Sequence, residues 1–344
     1  MKARAAAVAL AVALAALCSP MGSHAAQDPF EGGAQRLPAD APTYAHLLRE
    51  RDVVLWIGDE TIEDGALPRF VNAALLRLFE DSPLRCGSIG VRGSTTASAR
   101  EWAPRVVMTV GANVVFVMLG THDAGFAREP DEAAAEAYGA SLRVLIETLR
   151  ARRVREVVVV SPIALDEWTE VNDRLYEGRN ARLAQFAARA EAVAAEEGAV
   201  FLDLHTFTKD VWRAAHQRGG PAMTSDGVRP TEAGAIVAAS KALRGLGVTG
   251  TTLGWIGWAP TALERFEPVR EFLVEDVDPD PEQAARMFRL VRAMDVHDAH
   301  ADTLWRTLDQ RLHPEHQHRV EMLVLHRGEV ERNWASVIGV LRGE

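Results

Sequence analysis

Four short, β-branched-rich runs constrain this chain more than any other feature. Val53–Ile57 ends at Gly58, Val114–Leu119 ends at Gly120, Glu156–Val160 stops at Ser161-Pro162, and Ala199–Leu204 closes a fourth run. Apart from Glu156, the residues of the first three are continuously apolar rather than alternating, the pattern of strands buried on both faces of a parallel sheet. The intervening segments have helical spacing. Leu67–Glu80 places Leu67, Phe70, Val71, Ala74, Leu75 and Leu78 on one stripe, and Asp131–Arg152, the Ala-rich stretch Val171–Glu197 and Thr231–Leu246 read the same way, the last with Thr231 as N-cap. Strand and helix in alternation predict an α/β domain, a three-layer α/β/α sandwich with a parallel sheet. Sites in such sheets form at the carboxyl ends of the strands. Gly58-Asp59-Glu60 and Gly120-Thr121-His122-Asp123 each follow a buried run directly, so both are expected at one rim.

The two ends of the chain read differently. Lys2 and Arg4 precede the apolar run Ala5–Leu17, and Ser23-His24-Ala25 puts small residues at the −3 and −1 positions of a cleavage site. Basic region, apolar region and cleavage site in that order predict a signal peptide over 1–25, hence export to the periplasm or the exterior. The run is shorter than the ~20 apolar residues a membrane span requires. A lipoprotein anchor on Cys18 is disfavoured by Leu17 before it. Residues 26–51 read as a linker, with a short helix near Tyr44–Glu50, and residues 52–248 form the α/β domain. From Thr249 the alternation stops. Residues 249–344 read as a helical C-terminal region, with helices near 262–274, 281–295, 297–312 and 314–342, and with Asp280 and Pro281 as N-cap and first residue of the second. Trp255, Trp258 and Trp305 are its expected anchors.

Charge and cysteine content exclude several classes. The chain of 344 residues carries a formal charge of −10, and removing residues 1–25, which hold two basic and no acidic side chains, makes it more acidic. An acidic chain without a basic patch is not expected to bind nucleic acid or anionic lipid. No further segment is long and apolar enough to be a membrane span. Once Cys18 leaves with the signal peptide, Cys86 is the sole cysteine. That rules out an internal disulfide or a zinc–thiolate site, and Cys86 reads as a small buried residue. His313, His316 and His318 lack a metal-ligand spacing. The acidic run Asp276–Asp280 meets Pro281 where a calcium loop requires glycine. His205, just after the fourth run, reads as structural. No cofactor and no metal are expected from spacing.

Four short blocks carry a resemblance. Val53–Gly65 contains Gly58-Asp59-Glu60, Ser88–Thr96 contains Gly93, Gly120-Thr121-His122-Asp123 follows the second strand, and Ser225–Gly234 contains Asp226 and Arg229 followed by Pro230 and Gly234. In this order and on these elements the blocks resemble those of the SGNH, or GDSL-type, hydrolases. The resemblance covers residues 52–247 and implies a flavodoxin-like sheet of order 2-1-3-4-5. It also implies roles. The family's nucleophilic serine falls at Glu60, the glycine donating an oxyanion-hole N–H at Gly93, the oxyanion-hole asparagine at His122, the orienting aspartate at Asp226 and the general-base histidine at Arg229. Only Gly93 and Asp226 match.

Chemistry gives these departures their weight. A serine mechanism needs a hydroxyl nucleophile and a base to take its proton. Glu60 has no hydroxyl, and attack of its carboxylate on an ester would form a mixed anhydride. Arg229 stays charged at any working pH and cannot act as a base. The chain therefore reads as a pseudoenzyme for serine-esterase chemistry that binds a ligand or partner. The resemblance points to a glycan or an acylated small molecule. The alternative is an active hydrolase using Glu60 and His122 on an unusual substrate. Register places Glu60 and Arg229 across the gap that Ser and His would span, which predicts a salt bridge between them with Asp226 holding the other face of Arg229. A third reading groups Asp59, Glu60, His122 and Asp226 around a divalent metal, and an Arg229 beside Glu60 argues against it.

Overall fold

A computed structural model describes residues 43–125, 127–168, 175–248, 267–269, 272, 281–308 and 320–343, with the backbone alone at 281, 283–284, 299–308 and 320–328. The proposed signal peptide, most of the linker, the Asp276–Asp280 run, the His313–His318 cluster, Trp255 and Trp258 lie outside the described residues, as does the side chain of Trp305. Helix α1 (Thr43–Leu47) leads into β1 (Val53–Gly58), the short α2 (Glu60–Glu63) and α3 (Ala66–Leu78). Strand β2 (Arg85–Gly90), α4 (Thr96–Val110), β3 (Val114–Met118), the short α5 (Thr121–Ala124) and α6 (Glu132–Ala151) follow. The domain continues through β4 (Glu156–Val160), α7 (Arg179–Glu196), β5 (Val200–Leu202), α8 (His205–Arg218) and α9 (Glu232–Gly245). All pairings are parallel and the strand order is β2-β1-β3-β4-β5, as the blocks implied. Val54 pairs with Val114 and Gly58 with Met118, so the first and second apolar runs are adjacent central strands.

Side chains of a strand alternate between its two faces, and the core divides accordingly. On one face Val54, Trp56, Val114, Phe116 and Val158 pack against α3, α8 and α9. On the other, Leu55, Ile57, Val115, Val117 and Val157 pack against α4, α6 and α7. Trp56 stacks on Phe116 with ring centroids 4.4 Å apart, and its indole N–H donates to Asn72 Oδ1 at 3.0 Å, so its one polar atom is satisfied although the residue is fully buried. Within Val171–Glu197, expected as one helix, residues 171–174 lie outside the described residues, Leu175 and Tyr176 are helical, and a turn at Glu177-Gly178 separates them from α7. Strand β2, α4 and α8 were not read from sequence periodicity.

The C-terminal region is helical, with a different division. Pro281–Leu308 is one helix, α10, where two were expected, and Val320–Arg342 is α11. Met287, Leu290, Met294, Val337 and Leu341 join the core on the α3 face of the sheet, and Arg69 on α3 pairs with Asp295 on α10 at 3.0 Å. The two helices thus complete the burial of α3. Among the described residues no helix is long and apolar enough to cross a membrane.

Candidate functional site

The rim at the carboxyl ends of β1, β2 and β3 gathers the four blocks. β1 ends at Gly58, and Asp59 turns the chain into α2: its carboxylate caps the helix by accepting from Thr61 N–H at 3.0 Å. Glu60 is thereby the first residue of α2, and only 8% of it is exposed. The turn sits hard against β2. A Cβ built on Gly90 would lie 2.0 Å from Glu63 N and 2.4 Å from Asp59 O, so only glycine allows this approach. The chain leaves β2 through a turn in which Gly93 takes a left-handed φ of 75°, and its N–H donates to Glu60 Oε2 at 3.2 Å.

The loop carrying His122 is fixed from two sides. Asp123 accepts from the Thr96 hydroxyl at 2.6 Å and from Thr96 N–H at 3.1 Å, which ties α5 to the start of α4. Buried Arg182 on α7 donates to Ala124 O at 2.6 Å and to Glu129 O at 2.9 Å. Held there, His122 places Nε2 2.7 Å from both oxygens of the Glu60 carboxylate. An ionised carboxylate only accepts, so Nε2 carries the proton. Burial pushes the Glu60 carboxyl up, and the hydrogen bonds from His122, its own backbone and Gly93 outweigh that and leave it below the usual range. The same bond to Glu60 raises His122 against the opposing effect of burial. The two form an ion pair at the rim. Asp59, almost fully buried, is driven to about 6 by burial and by the Glu60 charge.

The fourth block lies across the cleft and corrects one expectation. Arg229 does not pair with Glu60. Its Nε donates to Asp226 Oδ2 at 2.8 Å and lies 3.7 Å from Asp64 Oδ2. Asp226 Oδ1 also accepts from the N–H groups of Val228 and Arg229, at 3.1 and 2.8 Å. The contacts with Asp226 close within four residues and cost little chain entropy. Asp226 holds Arg229 as expected, and Asp64 is a partner that sequence reading missed. Of the four acidic and imidazole groups considered together for a metal, Asp59, Glu60 and His122 come within 4.8 Å of one another and Asp226 is not among them. His205 is buried, and that burial, aided by the charge of Lys209, drives its imidazole down to about 4, in keeping with a structural role. Cys86 is buried and free.

Two donors therefore converge on one carboxylate: the backbone N–H of Gly93 and the ring N–H of His122.

Comparison with known proteins agrees with the fold. The model of the GDSL-like lipase/acylhydrolase family matches residues 56–235. No curated protein sequence matches the chain. Among solved structures, a gut microbial diltiazem-metabolizing enzyme superposes with a TM-score of 0.51 at 17% identity, over 59% of this chain and 48% of that one. The present chain thus spans about half of that protein's length. Axe2, an acetylxylan esterase from Geobacillus stearothermophilus, superposes at 0.48 with 19% identity, over 58% of this chain and 96% of that one. LAE5, an alpha/beta hydrolase from the metagenome of Lake Arreo in Spain, gives 0.48 and 20%, over 59% and 99%. At 17% identity the likeness to the first of these speaks to the fold alone. With the family match spanning more than half of the chain and the four blocks meeting at one rim of a 2-1-3-4-5 parallel sheet, the chain belongs to the GDSL-like lipase/acylhydrolase family.

Proposed function

We propose that this chain is an exported, non-esterase member of its family, which uses the cleft at the strand ends to bind a ligand. One observation carries the reading: the Glu60 carboxylate accepts from Gly93 N–H and pairs with His122 Nε2 at 2.7 Å, so the donors that would stabilise an ester's oxyanion are already engaged. Oxyanion stabilisation requires donors free to face the developing charge, and a carboxylate between them repels that charge. The chemistry of the neighbouring positions supports the same conclusion. Position 60 offers no hydroxyl, and Arg229, held by Asp226, accepts no proton. Loss of nucleophile and base together removes activity by several powers of ten. By family resemblance the ligand is a glycan or an acylated small molecule. Export follows from the reading of residues 1–25 and is checked by N-terminal sequencing of the mature protein, expected to begin at Ala26.

A second reading draws on the same 2.7 Å contact, which sets an imidazole beside a carboxylate and so suits an active hydrolase using Glu60 and His122. A panel of esters, acetylated sugars and haloalkanes separates the two. The proposal expects no turnover above the buffer rate by the native protein. Turnover that disappears in Glu60→Gln would establish the hydrolase and overturn the proposal.

A further inference from the structure

The side chains of Asp59, Glu60 and His122 make up a set that neither a serine mechanism nor its loss explains. Each offers one ligand atom, and the three atoms lie within 4.8 Å of one another. We infer that this trio is a site for a divalent transition-metal ion, formed by two carboxylates from the turn after β1 and one imidazole from the loop after β3. The inference rests on the reading that Glu60 is a binding carboxylate and not a nucleophile.

Three observations carry it. The first is the donor set. One imidazole with two carboxylates suits zinc or manganese better than magnesium or calcium, which favour oxygen alone. Metal–ligand distances of about 2.0–2.2 Å place neighbouring ligand atoms roughly 3–4 Å apart. The trio lies within 4.8 Å, and a metal would displace the proton from His122 Nε2 to solvent while the 2.7 Å Glu60–His122 contact opens by a few tenths of an ångström. The second is Asp59. It is 1% exposed and accepts one hydrogen bond, from Thr61 N–H to Oδ1, while Oδ2 accepts none among the described residues. A buried carboxylate with so few donors calls for a partner of positive charge. The third is the place of Arg229. A guanidinium paired with Glu60 would exclude a cation, and the structure instead commits the Arg229 Nε to Asp226, with Asp64 at 3.7 Å.

The ligands are also held as a metal site requires. The cap to Thr61 orients Asp59, the Gly93 N–H orients Glu60, and the Thr96–Asp123 and Arg182–Ala124 hydrogen bonds fix the loop that bears His122. No spacing signature appears in the sequence because the ligands come from two loops 62 residues apart.

Isothermal titration calorimetry of the purified, chelator-stripped protein with zinc, manganese, magnesium and calcium tests the site. Zinc or manganese should bind with a stoichiometry of one and at least 10-fold more tightly than magnesium or calcium. His122→Ala, Glu60→Gln and Asp59→Asn should each weaken binding 10-fold or more, with far-UV circular dichroism confirming that each variant is folded. The triple change His313→Ala, His316→Ala and His318→Ala should leave the affinity unchanged. No binding by the native protein, or equal affinity in folded His122→Ala and Asp59→Asn variants, would overturn the site. Calorimetry involves no ester, so this failure is separate from that of the proposed function. Ester turnover that appears only with zinc and is lost in His122→Ala would overturn the non-esterase reading and uphold the cation site.

Discussion

Asp59 is the place to test whether a charge is kept at the rim at the expense of stability. Its carboxyl is raised from 3.8 to about 6, chiefly by burial and then by the Glu60 charge. An acid whose folded pKa lies above its unfolded value binds more protons folded than unfolded, so stability falls as pH rises between the two values and levels off above the higher. At ~1.4 kcal/mol per unit, the interval from 3.8 to about 6 corresponds to about 3 kcal/mol lost at neutral pH. Asparagine matches the volume, carries no charge and caps helices as well as aspartate, so it can keep the acceptor for Thr61 N–H. Asp59→Asn should therefore stabilise the protein by about 1–3 kcal/mol at pH 7.5, and the gain should vanish near pH 4. Urea unfolding followed by tryptophan fluorescence at both pH values, with chelator present, measures the difference. A variant less stable than the native protein at pH 7.5, or a difference that does not change with pH, would refute the reasoning.

Other consequences follow from the same geometry. The lowered Glu60 pKa contributes stability that is present above pH 4.5 and lost as pH falls through the folded value, and the raised His122 pKa contributes stability that is present below pH 6.5 and lost as pH rises through the folded value. Glu60→Gln should thus cost most between pH 4.5 and 6.5 and less on either side, in a series of unfolding curves. Arg229→Ala should cost under ~1 kcal/mol, because its pair with Asp226 is 31% and 40% exposed. A loss of 3–5 kcal/mol in calorimetric unfolding would instead indicate a buried pair. Gly90→Ala should destabilise by ~2 kcal/mol or more, since its Cβ would strike backbone atoms of Glu63 and Asp59 that cannot yield. Native-like stability in the same assay would contradict that close approach.

What was legible in the sequence depended on how strongly burial dictated residue type. β1, β3 and β4 are covered on both faces, so they appear as apolar runs rich in β-branched residues, and the turns after β1 and β3 could be set at one rim. β2 is an edge strand of sequence Arg-Cys-Gly-Ser-Ile-Gly, and it is a strand because β1 pairs with it, a fact no local pattern carries. Helix α10 was divided near Val296 because its polar residues interrupt the apolar stripe. In the fold, His297 is buried against Trp334 with ring centroids 5.0 Å apart and bonds the buried Asp298 at 3.0 Å, so tertiary packing carries the helix through. At the site, the fold brings Glu60, Gly93 and His122 into contact and pairs Asp226 with Arg229. The pairing among them went astray because it depends on distances of a few ångströms. Asp226 lies three residues from Arg229 and satisfies its Nε locally, and Asp64, one turn beyond Glu60, adds its charge. Glu60, pinned at the start of α2, is left to His122.

The central proposal is that the Glu60 carboxylate engages Gly93 and His122, the positions that the family resemblance implies as oxyanion-hole donors. Nuclear magnetic resonance of the isotope-labelled protein, titrating the His122 ring and following the Gly93 amide, tests it most directly. His122 should titrate above 6.5 in the native protein and return toward 6.5 in Glu60→Gln, with the Gly93 amide resonance shifting between the two. A His122 that titrates at or below 6.5 and is unmoved by Glu60→Gln, beside a Gly93 amide equally indifferent to it, would contradict the claim.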